Sequence, residues 1–299
     1  PCDPCWSCFF RQAISRSLHI FQGALHIIFT VTLLVLFYGA HHFGFMKHII
    51  LTWLCLCASQ GAAQDVFILG EQHDNPHHHV VQADRIREIN PNAVVFEMLN
   101  DAQAAAINAL DNRSVDQVRA VSDWDASGWP AFDIYAPVFD AVGARPVIGA
   151  AVPRDQARKA FAEGISAVFA GDADRFGLTR PLAPDEQSER EAMQFAAHCD
   201  ALPKDMLPMM VDVQRLRDAT LALRIEQAVA QYGTPIAVVT GNGHARRDWG
   251  IAQYLKHSDL EIHALGQGEE GVPPNGAFDE VVFSSGVERD DPCAAFAKN

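Results

Sequence analysis

Two short segments of the sequence combine glycine and histidine in the same order. Residues 70–73 (Gly-Glu-Gln-His) and 241–244 (Gly-Asn-Gly-His) both read Gly-x-x-His, and Glu97 directly follows a short apolar run. Imidazoles and carboxylates that converge can act as general acids and bases or bind a divalent metal. The candidate catalytic residues are therefore Glu71, His73, Glu97 and His244. The candidate metal ligands are His73, Glu97 and His244.

These side chains need a framework that brings them together, and the pattern of the chain predicts one. Its apolar runs are short, rich in β-branched residues and separated by helix-like stretches. Continuous apolar character favours strands that are buried on both faces. Alternation with helices predicts an α/β fold with a mainly parallel sheet flanked by helices. The predicted strands cover 65–69, 93–96, 146–151, 235–240, 261–265 and 280–283.

The spacing between these runs predicts helices over 76–89, 101–110, 154–169, 184–198 and 206–232. Residues 152–232 are nearly all helix-like, so we expect a helical insertion between the third and fourth strands, packed over one edge of the sheet. No linker-like or low-complexity stretch divides residues 64–299, which predicts a single domain there.

The candidate residues follow predicted strands, and parallel sheets bind ligands outside the carboxyl ends of their strands. A glycine at a strand end allows a sharp turn with positive φ. Such a turn would project the next polar side chains into the crevice. The alternative is that each residue only caps the following helix, but agreement among three strand ends favours a shared site.

Four further residues are candidates for binding a cofactor. Tyr135 lies in an aromatic cluster, which is either core or the source of a phenolate ligand for ferric haem iron. His77, the first of three successive histidines, lies one helical turn from the first Gly-x-x-His segment. Arg217 and Arg246 could pair with carboxylates such as haem propionates, or with acidic neighbours.

The first 63 residues differ from the rest of the chain. Residues 18–45 contain no Lys, Arg, Asp or Glu, and such a stretch is long enough to span a bilayer. Residues 46–63 have the three parts of a secretory signal peptide, with cleavage expected before Gln64. We interpret residues 1–45 as an overextended N-terminus or, alternatively, a membrane segment. The prediction is an exported protein in the periplasm or cell envelope, with membrane attachment left open.

The cysteines support the same division. Five of the seven precede residue 58, and only Cys199 and Cys293 follow the signal-like segment. An even number in an exported protein suggests one disulfide, the alternative being two buried thiols. A lipid anchor at Cys57 is disfavoured, because Leu56 is larger than the residue that normally precedes a lipid-bearing cysteine.

Composition excludes several classes of protein. The chain has 299 residues, of which 49% are hydrophobic and 20% charged, which rules out a disordered chain, a collagen and a coiled coil. Its net charge is −14. Sequence-independent nucleic-acid binding depends on neutralising phosphates, so we expect no nucleic-acid partner.

The ordered set of motifs resembles a known family. Residues 70–76, 96–98 and 241–246, together with 129–137 and 214–222, resemble the ChaN-like haem-binding uptake family. This family belongs to the Tiki/TraB/erythromycin-esterase superfamily, which is marked by paired Gly-x-x-His motifs. The resemblance covers about residues 65–266 and implies an α/β fold and an exported or outer-membrane-attached protein. It also implies haem at a dimer interface with tyrosine on the iron, and therefore a homodimer and outer-membrane uptake machinery as partners.

The resemblance leaves a second function open. Enzymatic relatives use these histidines and glutamates for metal-dependent or general-base hydrolysis, and the four candidate catalytic residues match that set. No Ser or Cys lies in a Gly-x-Ser-x-Gly turn, which disfavours covalent catalysis. We predict an exported haem-binding protein of haem or iron uptake rather than an enzyme. The alternative is a metal-dependent esterase or peptidase.

Overall fold

The computed structural model of the chain describes residues 64–295. The predicted apolar span, the signal peptide and Cys57 lie outside these residues. Within them, no helix combines the length and the apolar character that a membrane crossing requires. All of the described residues belong to one compact unit.

Six strands form one parallel sheet in the order β3-β2-β4-β1-β5-β6. The strands are β1 (Val66–Leu69), β2 (Ala93–Phe96), β3 (Val147–Gly149), β4 (Ile236–Val239), β5 (Ile262–Glu269) and β6 (Glu280–Ser284). The predicted α/β fold with a parallel sheet is confirmed. β5 extends beyond the predicted end at Leu265, because residues 265–269 pair with the whole of β6.

Ten α-helices accompany the sheet in the described part of the chain. They are α1 (Pro76–Ile89), α2 (Asp101–Asn108), α3 (Val115–Ser122), α4 (Phe132–Val142), α5 (Arg154–Glu163), α6 (Ile165–Val168), α7 (Pro184–Ala197), α8 (Leu207–Tyr232), α9 (Asn242–Ala245) and α10 (Ile251–Tyr254). The helix predicted over 154–169 is divided at Gly164, whose φ of +84° is incompatible with a continuous helix. The helices α3, α4, α9 and α10 were not predicted.

Each face of the sheet carries its own apolar core. On one face, α8 packs on β2, β3 and β4 through side chains such as Leu216, Ala219 and Ile225. On the other face lie α1 and α4. The helical insertion between β3 and β4 is confirmed, but it covers a face of the sheet and not an edge. The apolar stripe of α8 needs the buried surface that only a sheet face offers.

The C-terminal segment after β6 is attached to the body at two points. Arg289 forms ion pairs with Asp74 and Glu269. Cys293 forms a disulfide with Cys199, with 5.4 Å between their Cα atoms, as the cysteine count predicted. Arg289 and Cys293 therefore hold this segment beside the loops that follow β1 and α7.

The order of the strands determines which loops meet. β2, β4 and β1 are consecutive neighbours in the sheet. Parallel strands end at the same edge, so Glu97, Gly241 and Gly70, which follow these strands, lie side by side. The three strand ends converge as the sequence predicted.

Candidate functional site

The loop after β1 places a carboxylate and an imidazole in direct contact. We call residues 70–73 the β1 motif. The Nδ1 atom of His73 donates to Oε1 of Glu71 at 2.7 Å, and the hydroxyl of Tyr135 donates to the same oxygen at 2.6 Å. The other oxygen of Glu71 lies 3.1 Å from Nδ1 of His79. Glu71 is almost fully buried, and two imidazoles and a phenol surround its carboxylate.

His244, which follows β4, belongs to a second pair of an imidazole and a carboxylate. We call residues 241–244 the β4 motif. His244 lies on the short helix α9, and its Nδ1 atom donates to Oδ1 of Asp218 at 2.6 Å. Asp218 is supplied by α8 and not by the motif itself. Both residues are buried.

Glu97 lies between the two pairs. Its Oε2 atom accepts hydrogen bonds from the Thr240 hydroxyl at 2.7 Å and from the backbone N–H of Gly241 at 2.8 Å. Its Oε1 atom faces Nε2 of His244 at 3.5 Å and Nε2 of His73 at 4.0 Å. The site is therefore a row in which two carboxylate–imidazole pairs face one central carboxylate.

The glycines of the two motifs are required for space. A Cβ on Gly241 would lie 2.8 Å from Nε2 of His73, and one on Gly70 would lie 2.7 Å from the carbonyl oxygen of Leu265 and 2.6 Å from Asn242. Gly241 has φ of −66°, and Gly70 is also outside the positive-φ region. The expectation of positive φ was therefore wrong. Each glycine instead makes room for a neighbour from the other motif.

The two pairs differ in their protonation. Burial alone would raise the pKa of Glu71, but its hydrogen bond with His73 and the nearby His79 lower that pKa to about 2. Burial likewise opposes charge on His73, yet Glu71 and Glu97 raise its pKa to about 9. At neutral pH the β1 motif therefore holds an ion pair.

At the β4 motif the balance is different. Burial raises the pKa of Asp218, and the opposing effect of His244 does not outweigh it. The pKa of His244 is also raised, because Glu97 and Asp218 overcome the effect of burial. Charge separation is therefore less favourable between His244 and Asp218 than between His73 and Glu71.

Tyr135 occupies a different place from the one that iron coordination would need. Its side chain is fully buried, and its hydroxyl is engaged by Glu71. Burial and the charge of Glu71 raise the pKa of the phenol far above its ordinary value. Tyr135 is thus a neutral hydrogen-bond donor beneath the site, whereas the prediction requires an accessible phenolate.

The other predicted cofactor-binding residues are spread around the site. His77 is exposed in the first turn of α1, whereas His79 reaches Glu71. Residues two apart on a helix point about 200° apart, so His77 faces outward when His79 faces inward. Arg217 is half-buried on α8 and its charge acts on His244. Arg246 forms an ion pair with Asp248, which agrees with the predicted alternative of an acidic neighbour.

Sequence reasoning missed two side chains of the site: Asp218, which belongs to the row, and His79, which lies beside Glu71. Asp218 stands seven residues after Val211 and seven before Ile225, on the buried stripe of α8. A charged residue in a mainly apolar stripe is a signal that could have revealed it, although Arg215 on the same helix is buried as well. His79 could not be separated from its two neighbours without knowing how α1 is rotated.

The predicted metal set of His73, Glu97 and His244 finds no support in this geometry. Within residues 64–295, no group of three or more His, Cys, Asp or Glu side chains is arranged to hold a metal ion.

Comparison with known proteins identifies one family. The model of the family described as haem-binding uptake, Tiki superfamily, ChaN matches residues 57–255, which is more than half of the chain. No curated protein matches significantly.

Two solved structures are similar in part. ChaN of Campylobacter jejuni, in a structure described as showing cofacial haem binding, is 17% identical over 76% of this chain and 87% of its own, with a TM-score of 0.47. The type III effector HopBA1 is 14% identical over 74% of this chain and 88% of its own, with a TM-score of 0.40.

Proposed function

The chain belongs to the ChaN family of haem-binding uptake proteins in the Tiki superfamily, and on that premise we propose that it binds haem as the cargo of an uptake process. The observation that carries the proposal is the family match over residues 57–255. The row of titratable side chains at the carboxyl edge of the sheet lies within the matched residues.

We infer that haem docks on the side of the β1 motif. The ring of His73 is one-third exposed and lies against the indole of Trp129, with 4.9 Å between ring centroids. An exposed aromatic surface suits a flat, largely apolar ligand. His77, exposed on the neighbouring turn of α1, supplies an imidazole that solvent reaches. We propose His77 as the iron ligand in place of Tyr135, because imidazole is a common axial ligand of haem.

A titration with hemin, followed by absorbance, tests this assignment. We expect a saturable shift of the Soret band, which His77→Ala abolishes or alters. Tyr135→Phe should leave the position of the band unchanged. His257→Ala is the matched control, because His257 contacts Glu226 on α8 and is remote from the three strand ends. A band that changes only in the Tyr135 variant would restore the tyrosine assignment.

General-base hydrolysis of an ester or peptide bond is a second candidate function. It is favoured by one observation: each Gly-x-x-His imidazole binds a carboxylate through Nδ1 and directs Nε2 towards Glu97. An imidazole oriented by a carboxylate is the usual arrangement of a general base. Because the pKa of His73 is about 9, it becomes a base only in alkaline solution. Any hydrolysis that uses it should rise towards that pH and disappear in His73→Ala.

We also propose that the protein is exported. The Cys199–Cys293 disulfide supports this, because disulfides persist in oxidising compartments. N-terminal sequencing of the protein from envelope fractions should begin at Gln64. A homodimer and an outer-membrane partner belong to the same proposal. Analytical ultracentrifugation with and without hemin tests the dimer.

A further inference from the structure

A cavity of about 160 Å³ opens beside the β4 motif, with Gly243 and His244 in its wall. Its wall is formed by α7, α8 and the loop after β4. The lining residues are Arg190, Met193, Gln194, Val211, Gln214 and His244, with Asp218, Gly243 and Trp249 completing it. Cavities that enclose drug-sized ligands measure about 300–1,000 Å³. This one is therefore too small for a porphyrin ring, but it has room for a short side chain or a small acid.

The buried face of α7 is polar, which is unusual for a helix that covers a fold. The buried residues of this helix are Arg190 and Gln194. Helices normally bury apolar side chains, and arginine is rarely buried unless it is paired. Both residues line the cavity. A polar wall at this depth suits a polar ligand group.

Arg190 retains unused hydrogen-bonding capacity. Its Nη2 atom donates to Glu186 at 2.5 Å and to the carbonyl oxygen of Trp249 at 3.3 Å. Its Nε atom is buried and has no acceptor among the described residues. A buried donor without a partner costs free energy, so an incoming acceptor would be favoured.

The remaining side chains define what kind of acceptor fits. His244 also lines the cavity, but its Nδ1 atom is bound to Asp218 and its Nε2 atom is directed towards Glu97, so Arg190 is the donor that faces an incoming acceptor. Asp218 opposes an anion, but its carboxylate is engaged by His244, and burial raises its pKa. Val211, Trp249 and the exposed Met193 supply an apolar wall. The cavity thus combines the unpartnered donor of Arg190 with a surface for a short hydrocarbon segment.

We propose that this cavity binds a carboxylate on a short hydrocarbon chain, with the guanidinium of Arg190 as its donor. Two sources share this chemistry: a propionate side chain of haem, and a small free carboxylic acid. The first source rests on the proposed haem function, and the second does not. Arginine presents a planar fork that matches a carboxylate.

Three probes distinguish the sources: hemin, hemin dimethyl ester, which has no free carboxylate, and n-butyrate. Each is titrated into the purified protein and into two variants. Arg190→Met removes the guanidinium while keeping the length of the side chain. Gln214→Glu places a like charge on the cavity wall and leaves Arg190 intact, so it keeps the test valid if the first variant folds poorly. Arg87→Met is the control, because Arg87 forms its ion pairs at an exposed surface of α1.

If haem propionate occupies the cavity, both variants should bind hemin about 10-fold more weakly or worse, as expected for lost charged hydrogen bonds. They should bind the dimethyl ester as the native protein does. If the occupant is a free acid, butyrate should bind the native protein and the control but neither variant, while hemin binding stays unchanged. The proposal is overturned if both variants bind hemin and butyrate as the native protein does, or if the native protein binds neither. A native protein that binds butyrate but no hemin would refute the haem function alone.

Discussion

The β1 and β4 motifs share one pattern of residues and the same position after a strand, yet their electrostatics differ. The carboxylate of the β1 motif is Glu71, which is part of the motif, accepts hydrogen bonds from His73 and Tyr135, and lies 3.1 Å from Nδ1 of His79. The carboxylate of the β4 motif is Asp218, which comes from α8 and binds His244. The pKa of Glu71 is lowered to about 2, whereas that of Asp218 is raised. Two imidazoles outweigh burial at Glu71, whereas at Asp218 the opposing effects of His244 and Arg190 do not.

The largest expected effect comes from neutralising the two carboxylates. Glu71→Gln should lower the free energy of unfolding by about 3–5 kcal/mol, because it leaves buried partners of an ion pair uncompensated. Asp218→Asn should cost only about 1–3 kcal/mol, because burial already disfavours its charge. Denaturation in urea measures both. Equal losses would show that the two motifs are electrostatically alike.

Removing the phenol tests why the β1 carboxylate is so acidic. Tyr135→Phe deletes one charged hydrogen bond and should cost about 1.5–3 kcal/mol. It should also raise the pKa of Glu71, which NMR titration of the carboxyl carbon can follow. Tyr135 donates to Glu71 and not to Asp218, whose hydrogen bond comes from His244. The pKa of Asp218 should therefore not change in this variant. A shift at Asp218 as large as that at Glu71 would contradict the separation of the two pairs.

The two glycines offer a test of packing. Gly70→Ala brings a methyl group against the backbone oxygen of Leu265, which cannot move easily, and should cost about 1–3 kcal/mol. Gly241→Ala meets the ring of His73, a side chain that can rotate, and should cost less. The second variant should instead perturb the NMR signals of His73. Thermal unfolding compares the two. A larger loss for Gly241→Ala would mean that the His73 ring is held rigidly.

The smallest effect is a pH dependence that belongs to the β1 motif. The pKa of His73 rises from about 6.5 in the unfolded chain to about 9 in the folded protein. Its contribution to stability is therefore complete below pH 6.5 and is lost as the pH rises through 9. We expect a loss of about 1–2 kcal/mol, reduced by solvent because the ring is one-third exposed. His73→Gln should remove this slope from urea unfolding measured between pH 6 and 10.

Local sequence was sufficient to predict the strand ends and the residues that follow them. Short β-branched runs predict buried parallel strands, and their carboxyl ends must share one edge of the sheet. Glu71, His73, Glu97 and His244 therefore lie together as expected. The order β2-β4-β1, which makes these ends neighbours, could not be predicted, because it depends on which strands pair across long stretches of chain.

The errors concern side-chain environment. Tyr135 was predicted as a ligand of haem iron, but α4 buries its side chain beneath Glu71. Which of the successive histidines contacts Glu71 is decided only by the rotation of α1 on the sheet, which selects His79. The partner of His244 lies 26 residues earlier on another element. These outcomes depend on how helices pack, which local pattern does not encode.

The sequence by itself determined the α/β class, the candidate disulfide and the pair of Gly-x-x-His motifs. These features depend on residue type and short-range spacing. Only the tertiary structure decided that one motif holds a fixed ion pair and that the other adjoins a cavity with Arg190. Charge states and cavities arise from burial and from contacts between distant segments, and both exist only once the chain has folded.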